Sequence, residues 1–345
     1  MKKINIKLKL NFAAGAILGL LLIASCENYL DKAPEATITE KDAYGNFRSF
    51  QGFIEELYNC IPDPNKCGAW NQYLFADEVL NNNLYAFDQG NYWSQGSYMY
   101  GTSVNTDNNS RTKRLWPLAW YAIRKANLAL AKLPLLADAT QEEKDLIRGQ
   151  ALFFRGFMYF ELMKWWGGLP YIDTVLSPTQ DLSFPRLTYK ETALKAAADF
   201  RAAANLLPMN WDDIDAGQQT LGNNDDRINK LHALGYLGKN YLYAASPMMN
   251  ESSGGPAAFD TELCKLAAAA FAEAIKLNDQ TGRYQLQSWA TWTDNFWVWS
   301  PSNRTMSGGT EVIMNCHVFD AGRVRWSTER DRSVQQLTIV PFPHQ

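Results

Sequence analysis

Aromatic and amide side chains crowd together at two places in this chain. The first is "FADEVLNNNLYAFDQGNYWSQGSYMY", residues 75–100, where Tyr92 and Trp93 follow Asp77, Asn81 and Asn82. The second is "SWATWTDNFWVWS", residues 288–300, which holds Trp289, Trp292, Trp297 and Trp299. Planar rings offer faces on which apolar surface stacks, and amides and carboxylates supply directional partners for hydroxyls. Sugar rings, apolar on their faces and hydroxylated at their edges, fit that combination. Peptides fit it too, because an aromatic surface is generically adhesive, and the same rings serve equally to pack irregular loops onto a core. The candidate ligand residues are Asp77, Asn82, Tyr92, Trp93, Trp289, Trp292 and Trp297.

No catalytic constellation stands beside them. The sequence holds no G-x-S-x-G, no phosphate-binding glycine loop and no H-E-x-x-H. A glycosidase needs two carboxylates flanking a cleft, and acids are too widely scattered here for sequence to exclude one. The acidic stretch "WDDIDAGQQTLGNNDDR" misses the calcium-loop spacing, since Gly217 falls at the third ligand position counted from Asp213, so it reads as a solvated loop. His232, His317 and His344 pair with no cysteine at zinc-ligand separation. Neither a metal nor a cofactor is expected. A net charge of −3 without a basic stripe gives no sign of nucleic-acid binding.

One more residue type carries chemistry, and its place in the chain explains it. Cys26 sits in "LLIASCENYLDKAP", where an apolar run meets a polar chain. Lys2, Lys3, Lys7 and Lys9 precede an apolar stretch from Phe12 to Ile23, too short for a comfortable membrane span. Residues 1–25 therefore read as an export signal, and removing its lysines takes the net charge from −3 to −7. "IASC" resembles the lipobox of bacterial lipoproteins, in which the cysteine becomes the lipid-bearing first residue. Acyl chains on Cys26 would anchor the protein firmly, at about 0.8 kcal/mol per buried methylene. In such an oxidising compartment Cys60 and Cys67, around "IPDPNK", are either a loop disulfide or two buried thiols.

Residues 26–40 read as an extended tether, and the body begins at 41. A helix is expected from about Asp42, with Phe47, Phe50, Ile54, Leu57 and Tyr58 on one face. Residues 61–110 break the helical pattern, and from 111 to about 280 helices dominate. Ile147, Ala151, Phe154, Met158, Leu162 and Trp165 step at three and four, and Phe153, Phe157 and Phe160 add a second apolar face. Such a helix is sandwiched between neighbours, and "WWGGLP" ends it with a glycine cap and a proline. Residues 188–207 and 227–246 are likewise helical.

Comparison of the helix ends reveals a repeat. The second helix of a tetratricopeptide unit favours Ala, Phe four on, Ala three later and Pro five later. Ala196, Phe200, Ala203 and Pro208 match throughout. Ala267, Phe271 and Ala274 match with Asp279 for the proline, and Ala122, Ala129 and Pro134 match with Ala126 for the aromatic. The registers lie 74 and 71 residues apart, about two units each. The fold class expected is all-α dominated: a tetratricopeptide-like array with long irregular aromatic-rich loops and minor β, the latter at "GGTEVIMNCHVF". An irregular alanine-rich bundle is the alternative. The chain stops at "VPFPHQ" without a helix cap or polar tail, so a C-terminal part of the fold is expected to be missing.

These features together resemble the SusD/RagB family of outer-membrane lipoproteins. "CENYLDKAPEATIT" is similar to the family opening, and "WYAIRKANLAL" to its Tyr-x-x-Ile-x-x-Ala-Asn helix. "RGQALFFRGFMYFELMKWWGGLPYI", residues 148–172, carries the resemblance furthest, with Gly156 in place of an alanine. "DRINKLHALGYLGKNYLYAASP" resembles another family helix, with Asp226 and Asn229 where Gly and Thr are usual and with His232 and Leu234 also departing. Family members run longer than this chain. The resemblance implies a helical lipoprotein, exposed on a Gram-negative cell surface and anchored through Cys26. It would bind glycans and other nutrients without catalysis and cap a TonB-dependent transporter of the SusC type. By position its ligand loops correspond to 77–100 and 289–299. The alternatives are a tetratricopeptide scaffold for a protein partner and a secreted glycoside hydrolase.

Overall fold

A computed structural model describes residues 39–61, residues 115–290 apart from 223 and 225, and residues 311, 313 and 314. The chain divides into two compact units, 1–43 and 44–345, and of the first only residues 39–43 are described. The helices are α1 (Glu40–Tyr44), α2 (Phe47–Glu55), α3 (Leu115–Lys132), α4 (Gln141–Trp166), α5 (Tyr189–Leu206), α6 (Lys230–Ala245), α7 (Pro247–Ser252) and α8 (Thr261–Thr281). No strand occurs among the described residues. The segment expected as a strand, 308–319, lies outside them except for residues 311, 313 and 314.

Helix starts follow from local chemistry. Thr140, Thr188 and Asn229 cap α4, α5 and α6, each answered three residues on by Glu143, Glu191 and His232 in a capping box. The Thr140 N–H donates to Glu143 Oε2 at 2.8 Å while the Glu143 N–H donates to Thr140 Oγ1 at 3.2 Å. The single helix expected near Asp42 is two. Asn46 interrupts it by accepting the Ser49 N–H at 2.9 Å, which starts α2 afresh. Phe50, Ile54, Leu57 and Tyr58 are nevertheless buried, as their spacing implies.

Helices adjacent in the chain pack together: α3 on α4, α4 on α5, α5 on α6 and α6 on α8, with α2 against α4. A repeat array has this order, each helix covering its neighbour. The repeat registers fall in α3, α5 and α8, alternating with α4 and α6. Ala122, Ala196, Phe200 and Ala203 are fully buried, and Ala267 nearly so. The partner helices answer with glycine. A Cβ at Gly156 of α4 would lie 3.1 Å from the Ala196 carbonyl oxygen and 3.3 Å from the Phe200 ring. One at Gly238 of α6 would lie 2.7 Å from the Phe271 ring. The same aromatic-over-glycine contact thus recurs in successive units, which favours the repeat array over an irregular bundle.

The core centres on α4, whose Phe153, Phe154, Tyr159 and Phe160 are fully buried between α3 and α5. Each such ring contributes about 1.5–3 kcal/mol by burial. An exposed pair such as Lys265–Glu262 contributes about 0–1 kcal/mol, so packing decides the stability.

Candidate functional site

Asp77, Asn82, Tyr92, Trp93, Trp292 and Trp297 lie outside the described residues, as do Cys26 and Cys67. Cys60 is buried, its Sγ 3.6 Å from the Glu56 carbonyl oxygen, and burial pushes its thiol up to about 12. Trp289 is described, and the local structure shows what places it. Gly282, at φ 64°, ends α8. Beyond it Tyr284 exchanges hydrogen bonds with the Asn278 side chain, both 2.8 Å, and its hydroxyl accepts from Asn229 Nδ2 at 2.9 Å. The Gln287 N–H donates to Glu311 Oε2 at 3.1 Å. The segment so pinned presents Trp289 at 85% exposure.

A second aromatic surface escaped the sequence reading. Trp116 meets Trp120 at 5.5 Å and Trp166 at 4.9 Å between ring centroids, and Trp120 meets Tyr159 at 5.9 Å. All three tryptophans are half-buried, at the start of α3 and the end of α4. The legible signal was the i, i+4 spacing of Trp116 and Trp120 in "LWPLAW". The "WWGGLP" turn builds one side of this surface. Gly167, at φ 74°, caps α4, and a Cβ on Gly168 would lie 2.1 Å from the Leu187 carbonyl oxygen. Arg186 donates to the Trp166 carbonyl and, at 2.7 Å, to that of Gly168.

Beneath the aromatic surface lies a buried ionic network. Arg155 of α4 holds Asp199 of α5 with both forks, at 2.6 and 2.7 Å. It also donates to Asn127 Oδ1 at 3.0 Å and to the Asp173 carbonyl at 3.2 Å. Tyr171 stacks on Tyr159 at 4.0 Å and donates to Asp199 at 2.6 Å. Burial disfavours the Arg155 charge, but the hydrogen bonds and charge of Asp199 outweigh it and keep the guanidinium protonated. Burial likewise raises the Tyr171 hydroxyl well above its ordinary value. Asn127 donates to the carbonyls of Ile172 and Thr174, at 2.9 and 3.1 Å, so the network fastens residues 170–174 across three helices. Its polar atoms are spent on one another. It positions; it offers no nucleophile.

The acidic stretch is also built rather than loose. Asn224, buried at 1% exposure, donates to Asp212 Oδ1 at 2.5 Å and to the Gly217 carbonyl at 3.0 Å. Arg227 joins it by donating to Asn224 Oδ1 at 2.9 Å and to Glu55 at 2.7 Å. Asp212 therefore serves as an acceptor within the loop, while Asp213 and Asp215 are exposed, as the solvated-loop reading expects. No group of three or more His, Cys, Asp or Glu residues that could hold a metal stands together among the described residues. None of the described helices is long and apolar enough to cross a membrane.

Residues 28–242 match a SusD-like family described as starch-binding and associating with the outer membrane. The chain belongs to the SusD-like family. SusD-like protein P2 of Formosa agariphila is 25% identical over 194 residues, 55% of this chain and 36% of that protein. SusD-like protein P38 of the same organism is 22% identical over 232 residues, 66% of this chain and 41% of that protein. The crystal structure of a SusD-like protein from Bacteroides fragilis superposes with a TM-score of 0.55 at 19% identity, covering 82% of this chain and 46% of that one. That likeness shows the helical fold, and this SusD-like chain spans less than half of each of these relatives.

Proposed function

We propose that this chain is a surface lipoprotein of the outer membrane that binds a glycan and passes it to a TonB-dependent transporter of the SusC type. The match of residues 28–242 to a starch-binding, outer-membrane-associating family carries the reading. The aromatic-amide composition of 75–100 and 288–300, with Trp289 at 85% exposure, supports it. Residues 1–25 act as the export signal, Cys26 bears the lipid, 26–40 tether, and 41–345 form the binding body. Sugar faces stack on indole and phenol rings while Asp and Asn side chains take the hydroxyls, so binding needs no activated nucleophile. A lid motion hands the ligand on.

Native affinity electrophoresis tests this. The full chain runs through gels with and without each of a panel of polysaccharides, starch included. Retardation by at least one polysaccharide, without release of reducing sugar, is the result expected. Unaltered mobility in every gel overturns the reading in favour of a protein-binding scaffold, and reducing-sugar release overturns it in favour of a hydrolase.

A further inference from the structure

The end of α3 and the first half of α4 line an open pocket of about 560 Å³ that the glycan reading does not use. Its composition is unlike the aromatic-amide stretches. Leu130 and Leu133 form one wall with the fully buried Leu136 behind them, and α4 contributes Lys144, Arg148, Leu152 and Arg155. Those four recur at steps of three and four, so one helical stripe presents cations and a leucine to the cavity. Neither an aromatic ring nor a carboxylate lines it.

The two outer cations are left to a ligand. Arg155 is committed to Asp199, whereas Arg148 is exposed and makes no hydrogen bond or ion pair among the described residues. Asp145, three residues before Arg148, is instead engaged by Gln141 at 2.8 Å. Lys144 gives one of its N–H groups to the Ala137 carbonyl at 3.0 Å and keeps two. Like charges at i, i+4 repel, and an anion placed between them removes that repulsion. A guanidinium fork matches a carboxylate in two hydrogen bonds. Leucine walls without rings accept an alkyl chain rather than a sugar face, and the volume suits a small molecule.

We propose that this pocket binds an amphiphilic monocarboxylate, with the carboxylate on Arg148 and Lys144 and the alkyl chain along Leu130, Leu133 and Leu152. Calorimetric titration of the full chain with decanoate, acetate and decanol tests it. Decanoate binds saturably at one site, and acetate and decanol bind at least about tenfold more weakly, lacking chain or charge. Arg148→Gln weakens decanoate at least about tenfold, as loss of a charge-assisted bidentate contact implies. Arg148 is exposed, so the variant keeps the wild-type thermal midpoint and the wild-type mobility in polysaccharide gels. No saturable heat from decanoate, equal binding by decanol, or unchanged decanoate affinity in Arg148→Gln overturns the proposal, and each result leaves the glycan reading standing.

Discussion

Arg155 and Asp199 form a buried, bidentate ion pair. Both side chains are under 10% exposed, and they bind each other at 2.6 Å. Their worth lies in being paired, because removing one partner strands a charge away from water. Asp199→Asn is expected to lower unfolding stability by about 3–5 kcal/mol. The double replacement Arg155→Met with Asp199→Leu recovers part of that loss, since no buried charge remains, although Tyr171 and Asn127 each lose a partner. Urea titration of the three proteins checks both statements; equal stability of Asp199→Asn and wild type would contradict them. Asp260 gives a pH-dependent counterpart. The Lys190 ammonium, 2.6 Å away, and the Leu263 and Glu262 N–H groups at the start of α8 hold its carboxyl below the ordinary value near 3.8. The folded form therefore favours the ionised carboxylate. Its contribution is full above the unfolded pKa and fades as pH falls through the lower folded value. Thermal midpoints measured from about pH 5 to about pH 2 should fall more steeply for wild type than for Asp260→Asn. Parallel curves would rule this out. Neither pair was legible in the sequence, since their partners lie 44 and 70 residues apart and no local pattern joins them.

At the scale of elements, the spacing of α4 and the Ala-Phe-Ala registers of α5 and α8 were readable because burial imposes a helical period on residue type. Their partners, Gly156 and Gly238, were visible only as small residues. Which ring each glycine faces is fixed by the packing of one helix on the next. Two glycines of α6 make this testable. A Cβ at Gly235 meets nothing within 4 Å, whereas one at Gly238 meets the Phe271 ring at 2.7 Å. Gly235→Ala is expected to stabilise by about 0.5–1 kcal/mol through helix propensity alone. Gly238→Ala forces Phe271 to shift and is expected to destabilise by about 1–3 kcal/mol. Denaturation midpoints of the two variants should move in opposite directions; a shared gain would show that α6 and α8 do not pack this closely. The break between α1 and α2 was missed because the apolar stripe runs straight through Asn46, and only its hydrogen bond to Ser49 reveals the cap.

For the whole molecule, family membership and the helical array answer what kind of body this is, and the ligand is where sequence and structure diverge. The sequence marks its aromatic-amide stretches by composition. Of the ligand residues it nominates, the described structure includes Trp289, at 85% exposure, while the half-buried Trp116, Trp120 and Trp166 form an aromatic cluster packed against the core. Composition could not find that second surface, because its rings come from the start of one helix and the end of another. The most direct test of the glycan-binding claim is calorimetric titration of the full chain with oligosaccharides cut from whichever polysaccharide retards it. Saturable binding at a single class of sites, with no reducing ends released and the same affinity in Arg148→Gln, is the predicted result. Absence of saturable heat with every glycan, or cleavage of the ligand during titration, would contradict it.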